Sequence, residues 1–137
     1  MQKIAAFPFT FIGNTKVGRI YRPYAIIEVF SLLTKDWESL EMVIDSGADY
    51  TILPKNYSDI LGINTQEDCI VETTLGIGGS ETVYQYKKLL IKIGKWEKQI
   101  PVGFLERNDL PALLGRLECL ESLRLTFEKK ATYFDLS

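Results

Sequence analysis

Short apolar runs dominate this chain, and turn-forming residues such as glycine, asparagine, aspartate and proline separate one run from the next. Runs of this kind, rich in β-branched and aromatic residues, are typical of β-strands, whereas helical periodicity is scarce. Eight strands are predicted, at residues 4–12, 24–30, 40–44, 69–75, 82–93, 98–105, 123–127 and 132–136. We therefore expect a mainly β fold.

Turn and breaker residues define some boundaries of these strands. Gly13 and Asn14 are expected to end the first strand. Pro101 suggests an edge position for its strand, because proline has no N–H to donate to a neighbouring strand. The glycine-rich segment 76–79 lies between two predicted strands and forms the tip of the clearest hairpin in the sequence.

Two short helices are also predicted. Residues 54–61 have Pro54 at their start and Gly62 just past their end, which is the asymmetry expected of a helix. Residues 116–123 carry apolar leucines at spacings of three, with acidic residues between them. One or two short helices should therefore accompany the strands.

Composition limits the chemistry that this chain can perform. Its 137 residues, 46% hydrophobic and 25% charged, fit a single globular domain over residues 1–137. A net charge of −2 argues against binding to nucleic acid through phosphate contacts. The chain has no histidine and two cysteines, which excludes Ser-His-Asp and Cys-His catalytic sites and the usual zinc sites. We expect no metal and no cofactor.

The N-terminal apolar run and the cysteines point to an intracellular protein. Residues 4–12 are too short to span a bilayer and lack the cleavage site of a signal peptide. Cys69 and Cys119 lie far apart in the sequence and form no motif, so we expect two reduced thiols. A cytoplasmic location with no membrane partner is the resulting expectation.

Residues 42–54 hold the most informative pattern in the sequence. Asp45 follows an apolar strand and comes directly after Val43 and Ile44, so its carboxyl group would lie partly shielded from solvent. Gly47 allows backbone amides to approach that carboxylate, and Ser46 offers a short hydroxyl. A water molecule could then be activated by Asp45. However, Asp-Ser-Gly is also a good turn sequence, so the tripeptide alone leaves both interpretations open.

The surrounding segments carry a family resemblance. The sequence Asp-Ser-Gly-Ala-Asp at residues 45–49, with Thr-Ile-Leu at 51–53, resembles the catalytic signature of the retropepsin-like aspartic proteases. Gly-Ile-Gly-Gly at 76–79 resembles their flap tip, and Leu-Leu-Gly-Arg at 113–116 resembles the stretch before their C-terminal helix. The strand at 123–127 resembles the one that follows that helix. The resemblance is to a cellular, single-domain member of the family.

This resemblance implies a closed, β-barrel-like half-domain with a flap hairpin, acting as an aspartic endopeptidase. Asp45, Ser46 and Gly47 would form the catalytic loop. Aspartic protease chemistry needs two carboxylates that share one proton, and no other aspartate here is followed by Ser/Thr-Gly. The expected active species is therefore a homodimer in which two copies of Asp45 meet at a two-fold axis and cleave a peptide or protein substrate.

The resemblance also assigns residues to substrate binding and to support of the catalytic loop. An extended peptide would contact Ala48, Asp49, Ile52, Gly76, Ile77, Gly78 and Leu113. Arg116 would pair with Asp49 and steady the loop. Each position also has a simpler interpretation: the glycine-rich tip as a plain turn, Leu113 as a core residue, and Arg116 as a solvated side chain.

Two alternatives to a peptidase remain open from the sequence. One is a catalytically silent member of the same fold that binds peptides or mediates dimerisation, although the intact Asp45, Ser46 and Gly47 argue against it. The other is an unrelated β-barrel binding domain with a coincidental Asp-Ser-Gly turn, which the ordered set of matching segments disfavours.

Overall fold

A computed structural model describes residues 2–76 and 79–136 of the chain. Within those residues, strands account for most of the structure, with one α-helix of five residues and one 3₁₀ turn. In chain order the elements are β1 (Gln2–Pro8), β2 (Thr10–Thr15), β3 (Gly18–Arg22), β4 (Tyr24–Ser31), β5 (Asp36–Ile44), β6 (Thr51–Pro54), α1 (Tyr57–Leu61), β7 (Ile70–Gly76), β8 (Gly79–Ile93), β9 (Trp96–Leu105), β10 (Leu113–Leu114), the 3₁₀ turn (Leu120–Ser122), β11 (Arg124–Glu128) and β12 (Ala131–Leu136). The predicted mainly β fold is confirmed.

The largest sheet closes on itself. Its seven strands follow the order β4-β5-β10-β6-β9-β8-β7, and β4 also pairs with β8 through Glu28–Lys92 and Val29–Ile91. This extra pairing joins the two ends of the run from β4 to β8 into a barrel, with β7 outside it. The hydrophobic core fills the barrel because alternate side chains of each strand point inward. Its fully buried members include Ile27, Val29, Met42, Leu53, Ile91, Ile100, Val102, Phe104 and Leu114.

Two smaller sheets flank the barrel. One has the order β1-β12-β11 and buries Phe134 and Ile4 against the barrel core. The other is the hairpin of β2 and β3, which pair with each other and with no other strand among the described residues. No helix in residues 2–76 and 79–136 is long and apolar enough to cross a membrane.

The prediction of one strand at residues 4–12 is wrong, because the chain breaks at Phe9 and begins a second strand. Gly13 and Asn14 do not end a strand but lie inside β2, where Asn14 pairs with Arg19 of β3. The hairpin turns at residues 16–17 instead. Residues 4–12 are almost all apolar, so the sequence gives no sign of the break. In the structure β1 and β2 belong to different sheets.

The edge position predicted from Pro101 is also wrong. Its strand β9 lies between β6 and β8, in the interior of the sheet. Pro101 is accommodated because Lys87 and Lys88 bulge out of β8 opposite it, where the register shifts between Tyr86 and Leu89. The parallel ladder to β6 begins only at the next residue, Val102, so the missing N–H breaks neither ladder.

The two predicted helices are shorter than expected. Pro54 belongs to β6 and the helix α1 starts later, but Gly62 ends it as predicted, in the left-handed conformation with φ 70°. Residues 116–123 form only a 3₁₀ turn after Glu118, whose φ of 58° interrupts any helix. A leucine spacing of three matches the three residues per turn of a 3₁₀ helix rather than an α-helix.

Candidate active site

A crossing of two chain segments places Asp45 at the end of β5. The two-residue strand β10 inserts between β5 and β6, so that Leu113 lies beside Val43 on one side and Ile52 on the other. The backbone N–H of Asp45 donates to the carbonyl oxygen of Leu114 at 2.9 Å. Asp45 is thereby fixed by a segment almost seventy residues further along the chain.

The loop after β5 wraps around the Asp45 carboxylate. Its Oδ1 accepts a hydrogen bond from the backbone N–H of Gly47 at 2.9 Å, and the N–H of Ala48 donates to the Asp45 carbonyl at 3.1 Å. A Cβ atom at position 47 would lie 3.2 Å from that same Oδ1. Glycine therefore permits the tight approach of the amide. The Asp45 side chain is half-buried, whereas Ser46 and Gly47 are exposed, so a second group can reach the site.

Arg116 fastens the Asp45 loop to the segment that follows β10. Its guanidinium donates from Nη1 to the Ser46 carbonyl at 2.6 Å and from Nη2 to Oδ1 of Asp49 at 2.8 Å. The backbone N–H of Arg116 also donates to the Ala48 carbonyl at 3.0 Å. A planar guanidinium suits this double role because its donors are held in a fixed fork. The structure thus brings Arg116 and Asp49 together, and their effect on activity stays a prediction.

Gly115 and Thr51 also meet at this crossing, and no pattern in the sequence indicated a role for either of them. The N–H of Gly115 donates to the buried hydroxyl of Thr51 at 3.1 Å. A Cβ at position 115 would lie 2.3 Å from the carbonyl carbon and oxygen of Tyr50. Only glycine fits this crossing. The sequence signal for this contact was Gly115 itself, a glycine directly after the apolar pair Leu113 and Leu114, which form the short strand β10.

The expected substrate-binding residues fall into two regions. Ala48, Ile52 and Leu113 are half-buried close to Asp45, with Leu113 paired to Ile52, and Asp49 is exposed beside them. Leu114, in contrast, is fully buried in the core. These apolar side chains next to a carboxylate could form the wall of a cleft.

The second region is the hairpin of β7 and β8. Its register runs from Ile70 opposite Gln85 to Gly76 opposite Gly79, so the predicted hairpin is present. Ile77 and Gly78, expected at its tip, lie outside the described residues. Towards the tip end of the hairpin, where Glu81 pairs with Thr74, the Arg107 guanidinium binds Glu81 at 2.7 Å and Asp109 at 2.6 Å. This network ties β8 to the loop after β9.

A second polar cluster includes Glu106, which lies in the loop after β9, together with Lys55 and Tyr84. Glu106 accepts a hydrogen bond from Lys55 Nζ at 3.0 Å and interacts with the Tyr84 hydroxyl. The hydrogen bond from Tyr84, followed by that from Lys55, lowers the pKa of Glu106 below its ordinary value of 4.5. The cluster joins Lys55, directly after β6, to Tyr84 in β8 and to Glu106 in the loop after β9.

The Glu106 cluster predicts a specific acid sensitivity. Because the pKa is lower in the folded state, this carboxylate stabilises the fold above pH 4.5, and that contribution is lost as the pH falls through the lowered value. Glu106→Gln should therefore reduce the melting temperature at neutral pH and approach the wild-type curve in acid. Thermal melts across this range would test it, with exposed Glu67→Gln as the control. Curves that stay parallel would contradict the assignment.

Within residues 2–76 and 79–136, no group of three or more histidine, cysteine, aspartate or glutamate side chains is placed to hold a metal ion. Both cysteines are free thiols, and burial raises the pKa of Cys119 to about 12, which suppresses its nucleophilic thiolate form.

Comparison with models of protein families gives no match, and comparison with curated protein sequences gives none either. Among solved structures, the chain is similar to the crystal structure of a retropepsin-like aspartic protease from Rickettsia conorii, with a TM-score of 0.59 and 19% sequence identity. The similarity covers 93% of this chain and 98% of that chain. Together with the closed barrel and the inserted strand β10, this likeness shows that the chain has the retropepsin fold.

Proposed function

We propose that this protein is an aspartic endopeptidase whose active form is a homodimer. The observation that carries the proposal is the Asp45 loop, in which Gly47 donates to the carboxylate and Arg116 clamps the loop from the crossing segment. The bond from the Gly47 N–H to the Asp45 side chain is also that of an ordinary Asx turn. The clamp of Arg116 on Ser46 and Asp49, together with the accessible Asp45 carboxylate, favours the catalytic interpretation. The retropepsin fold supports this choice of chemistry.

One Asp45 per chain supplies half of the groups that this chemistry needs. Two carboxylates at contact distance cannot both ionise, so the pair shares one proton. In the proposed reaction, the ionised Asp45 takes a proton from a water molecule, and that water attacks the scissile carbonyl carbon. The protonated Asp45 of the other subunit donates a hydrogen bond to the carbonyl oxygen. The tetrahedral intermediate then collapses: the C–N bond breaks, and the Asp45 that took the proton from water passes it to the leaving amine nitrogen, so no covalent intermediate with the protein forms.

The outer edge of β11 offers a surface on which a second copy could pair. Among the described residues, β11 pairs only with β12, which leaves its other edge open. Phe127 on this strand is half exposed. In an antiparallel pairing centred on Thr126, Arg124 would lie opposite the partner's Glu128, and the reverse contact would follow from symmetry. The strand is therefore complementary in charge to its own copy.

Charge reversal on β11 should test this arrangement. Arg124→Glu places like charges opposite each other twice per dimer and should weaken dimerisation by about tenfold. Adding Glu128→Arg on the same chain should restore much of the affinity, because the complementary pairs return in reverse order. Sedimentation over a dilution series would measure both, with Lys35→Glu as a control of equal charge change.

Dilution also tests the homodimer itself. Specific activity should fall once the protein is diluted below the dissociation constant of the dimer, and Arg124→Glu should move that point to higher concentration. A monomer that cleaves peptides with a specific activity independent of concentration would refute the two-chain site.

A transition-state mimic provides a test that does not depend on knowing the substrate. A peptide library carrying a tetrahedral hydroxyl centre in place of the scissile amide should contain ligands that the paired carboxylates bind. At a hundred times its dissociation constant, such a ligand stabilises the fold by about 2.7 kcal/mol and raises the melting temperature by several degrees. The matching amide peptides should give a smaller shift, and equal shifts would count against a catalytic pair.

A further inference from the structure

The hairpin of β2 and β3, residues 10–22, stands apart from the other sheets and has two open edges. Within the described residues its strands pair only with each other, from Thr10 opposite Arg22 to Thr15 opposite Gly18. An isolated two-stranded hairpin is marginally stable in water. Val17 at its turn is 90% exposed, and Phe11 and Ile12 are both more than 40% exposed. The hairpin therefore has the features of a surface that gains stability from a partner.

Its charge differs in sign from that of the whole protein. Residues 10–22 contain Lys16, Arg19 and Arg22 and no acidic residue, although the net charge of the chain is −2. Lys129 and Lys130, in the turn between β11 and β12, extend this basic surface. The Lys130 ammonium lies 4.5 Å from the centre of the Tyr21 ring. A partner of the hairpin should therefore carry negative charge.

Aromatic rings hold the central cation of the hairpin in place. Phe11 and Tyr21 pair across the strands with ring centres 5.4 Å apart, and the Arg19 guanidinium lies 4.9 Å from the Phe11 ring. This stacking limits the freedom of the arginine side chain, so less conformational entropy is lost when the guanidinium binds an anion.

The base of the hairpin adjoins the catalytic loop. Pro23 follows β3 directly, and its carbonyl accepts a hydrogen bond from the N–H of Ile44 at 2.9 Å. Ile44 immediately precedes Asp45. A chain bound along the hairpin would therefore have one end near the Asp45 loop.

We propose that the basic hairpin, residues 10–22, is an exosite that binds an extended acidic segment of the protein substrate. This inference rests on the proposed function. The segment adds to an open strand edge, where main-chain hydrogen bonds supply affinity and carboxylates meet Arg19 and Arg22 on the two faces of β3. An extended peptide fits better than a lipid bilayer, because hydrocarbon would leave the open backbone groups of the hairpin without partners.

Direct binding to the inactive Asp45→Asn protein separates this proposal from the question of catalysis. The probe is a fluorescent peptide of repeated Glu-Val-Val units, roughly eight residues long to match an ordinary strand, whose glutamates three apart fall on opposite faces as Arg19 and Arg22 do. Its glutamine counterpart serves as the neutral control. Fluorescence anisotropy should show that the acidic peptide binds at least tenfold more tightly than the neutral one and weakens as salt rises.

Matched charge variants localise the binding. Arg19→Glu/Arg22→Glu should weaken binding of the acidic peptide by about tenfold or more, since two attractive contacts become repulsive. Lys87→Glu/Lys88→Glu changes the net charge equally at the exposed bulge of β8 and should leave binding within twofold. The milder Arg19→Gln/Arg22→Gln variant removes the positive charges without introducing negative ones and should give an intermediate loss of peptide affinity. It serves as a second variant in case the glutamate substitutions unfold the hairpin.

An equal loss of peptide affinity in the Arg19→Glu/Arg22→Glu and Lys87→Glu/Lys88→Glu variants would overturn the exosite, because affinity would then depend on net charge alone. Failure of the acidic peptide to bind while vesicles of anionic phosphatidylglycerol do bind would also overturn it. So would dissociation of the dimer by the hairpin variants, which would identify a second copy as the occupant. If only the hairpin variants weaken peptide binding, but the wild-type protein cleaves no substrate, the docking surface is supported and the peptidase proposal fails.

Discussion

Asp45→Asn is expected to lower the rate of peptide cleavage by about a hundredfold to ten-thousandfold, which is the usual contribution of a general acid–base group. The amide cannot accept a proton from water, and every dimer of the variant lacks both carboxylates. The loop should keep its shape, because the side-chain oxygen of asparagine can still accept the N–H of Gly47. Mass spectrometry of a pooled peptide library, incubated across a range of pH, would measure the loss.

Asp59→Asn supplies the control for this experiment, because it makes the same chemical change at an exposed position on α1. It should cleave at the wild-type rate. If the Asp45 variant cleaves equally fast, the catalytic assignment is wrong. If the wild-type protein binds library peptides but cleaves none of them at any pH, the silent peptide-binding form of the fold becomes the better interpretation.

Gly115→Ala should cause the largest loss of stability among single methyl additions to the site. The new Cβ would lie 2.3 Å from the Tyr50 carbonyl, and backbone on both sides of the crossing must move to relieve the clash. Overpacking of this kind costs about 3 kcal/mol, which corresponds to a fall of about 10 °C in melting temperature for a domain of this size. Calorimetry at a fixed protein concentration would measure the shift.

Gly13→Ala provides the matched control, since a Cβ there has no heavy atom within 4 Å. Its melting temperature should stay within about one degree of the wild type, because substitutions at open surface sites change stability little. A Gly115 variant that melts like the Gly13 variant would show that the two crossing segments can separate without cost. The close approach would then not be what fixes Asp45.

Most long strands were predictable because runs of β-branched and aromatic residues favour a strand locally. Residues 24–30 were predicted as a strand from their β-branched and aromatic content. The alternate burial of Ala25, Ile27 and Val29 is visible only in the fold, because the intervening Ile26 is apolar as well. The hairpin of β7 and β8 was equally clear, since glycines separate two β-rich runs. The strands β6 and β10 escaped because four and two residues are too few to show a period. Their pairing with distant strands creates them.

The errors share a different cause, which is context outside the local window. Pro101 indicates an edge in an isolated strand, yet a bulge in β8 lets it occupy the middle of the sheet. The leucines of residues 116–123 suggested a helix, but the left-handed conformation of Glu118 permits only a turn. Tertiary packing decided both cases and overrode the local preference.

Only part of the candidate site could be predicted from the sequence. The tripeptide at residues 45–47 and the pairing of Arg116 with Asp49 followed from motif resemblance. The bond from Gly115 to Thr51 and the network around Arg107 depend on segments that meet only in the folded barrel. Pattern alone gives no measure of such distances, and the tip residues Ile77 and Gly78 lie outside the described residues.

The insertion of β10 between β5 and β6 has a consequence for the timing of biosynthesis. A nascent polypeptide that has left the ribosome only as far as Pro111 already exposes the Asp-Ser-Gly triplet, but it lacks the carbonyl of Leu114 and the guanidinium of Arg116 that hold the triplet in shape. The loop around Asp45 can therefore take its native shape only after translation has passed these positions, so the order of synthesis sets the order in which the candidate site forms.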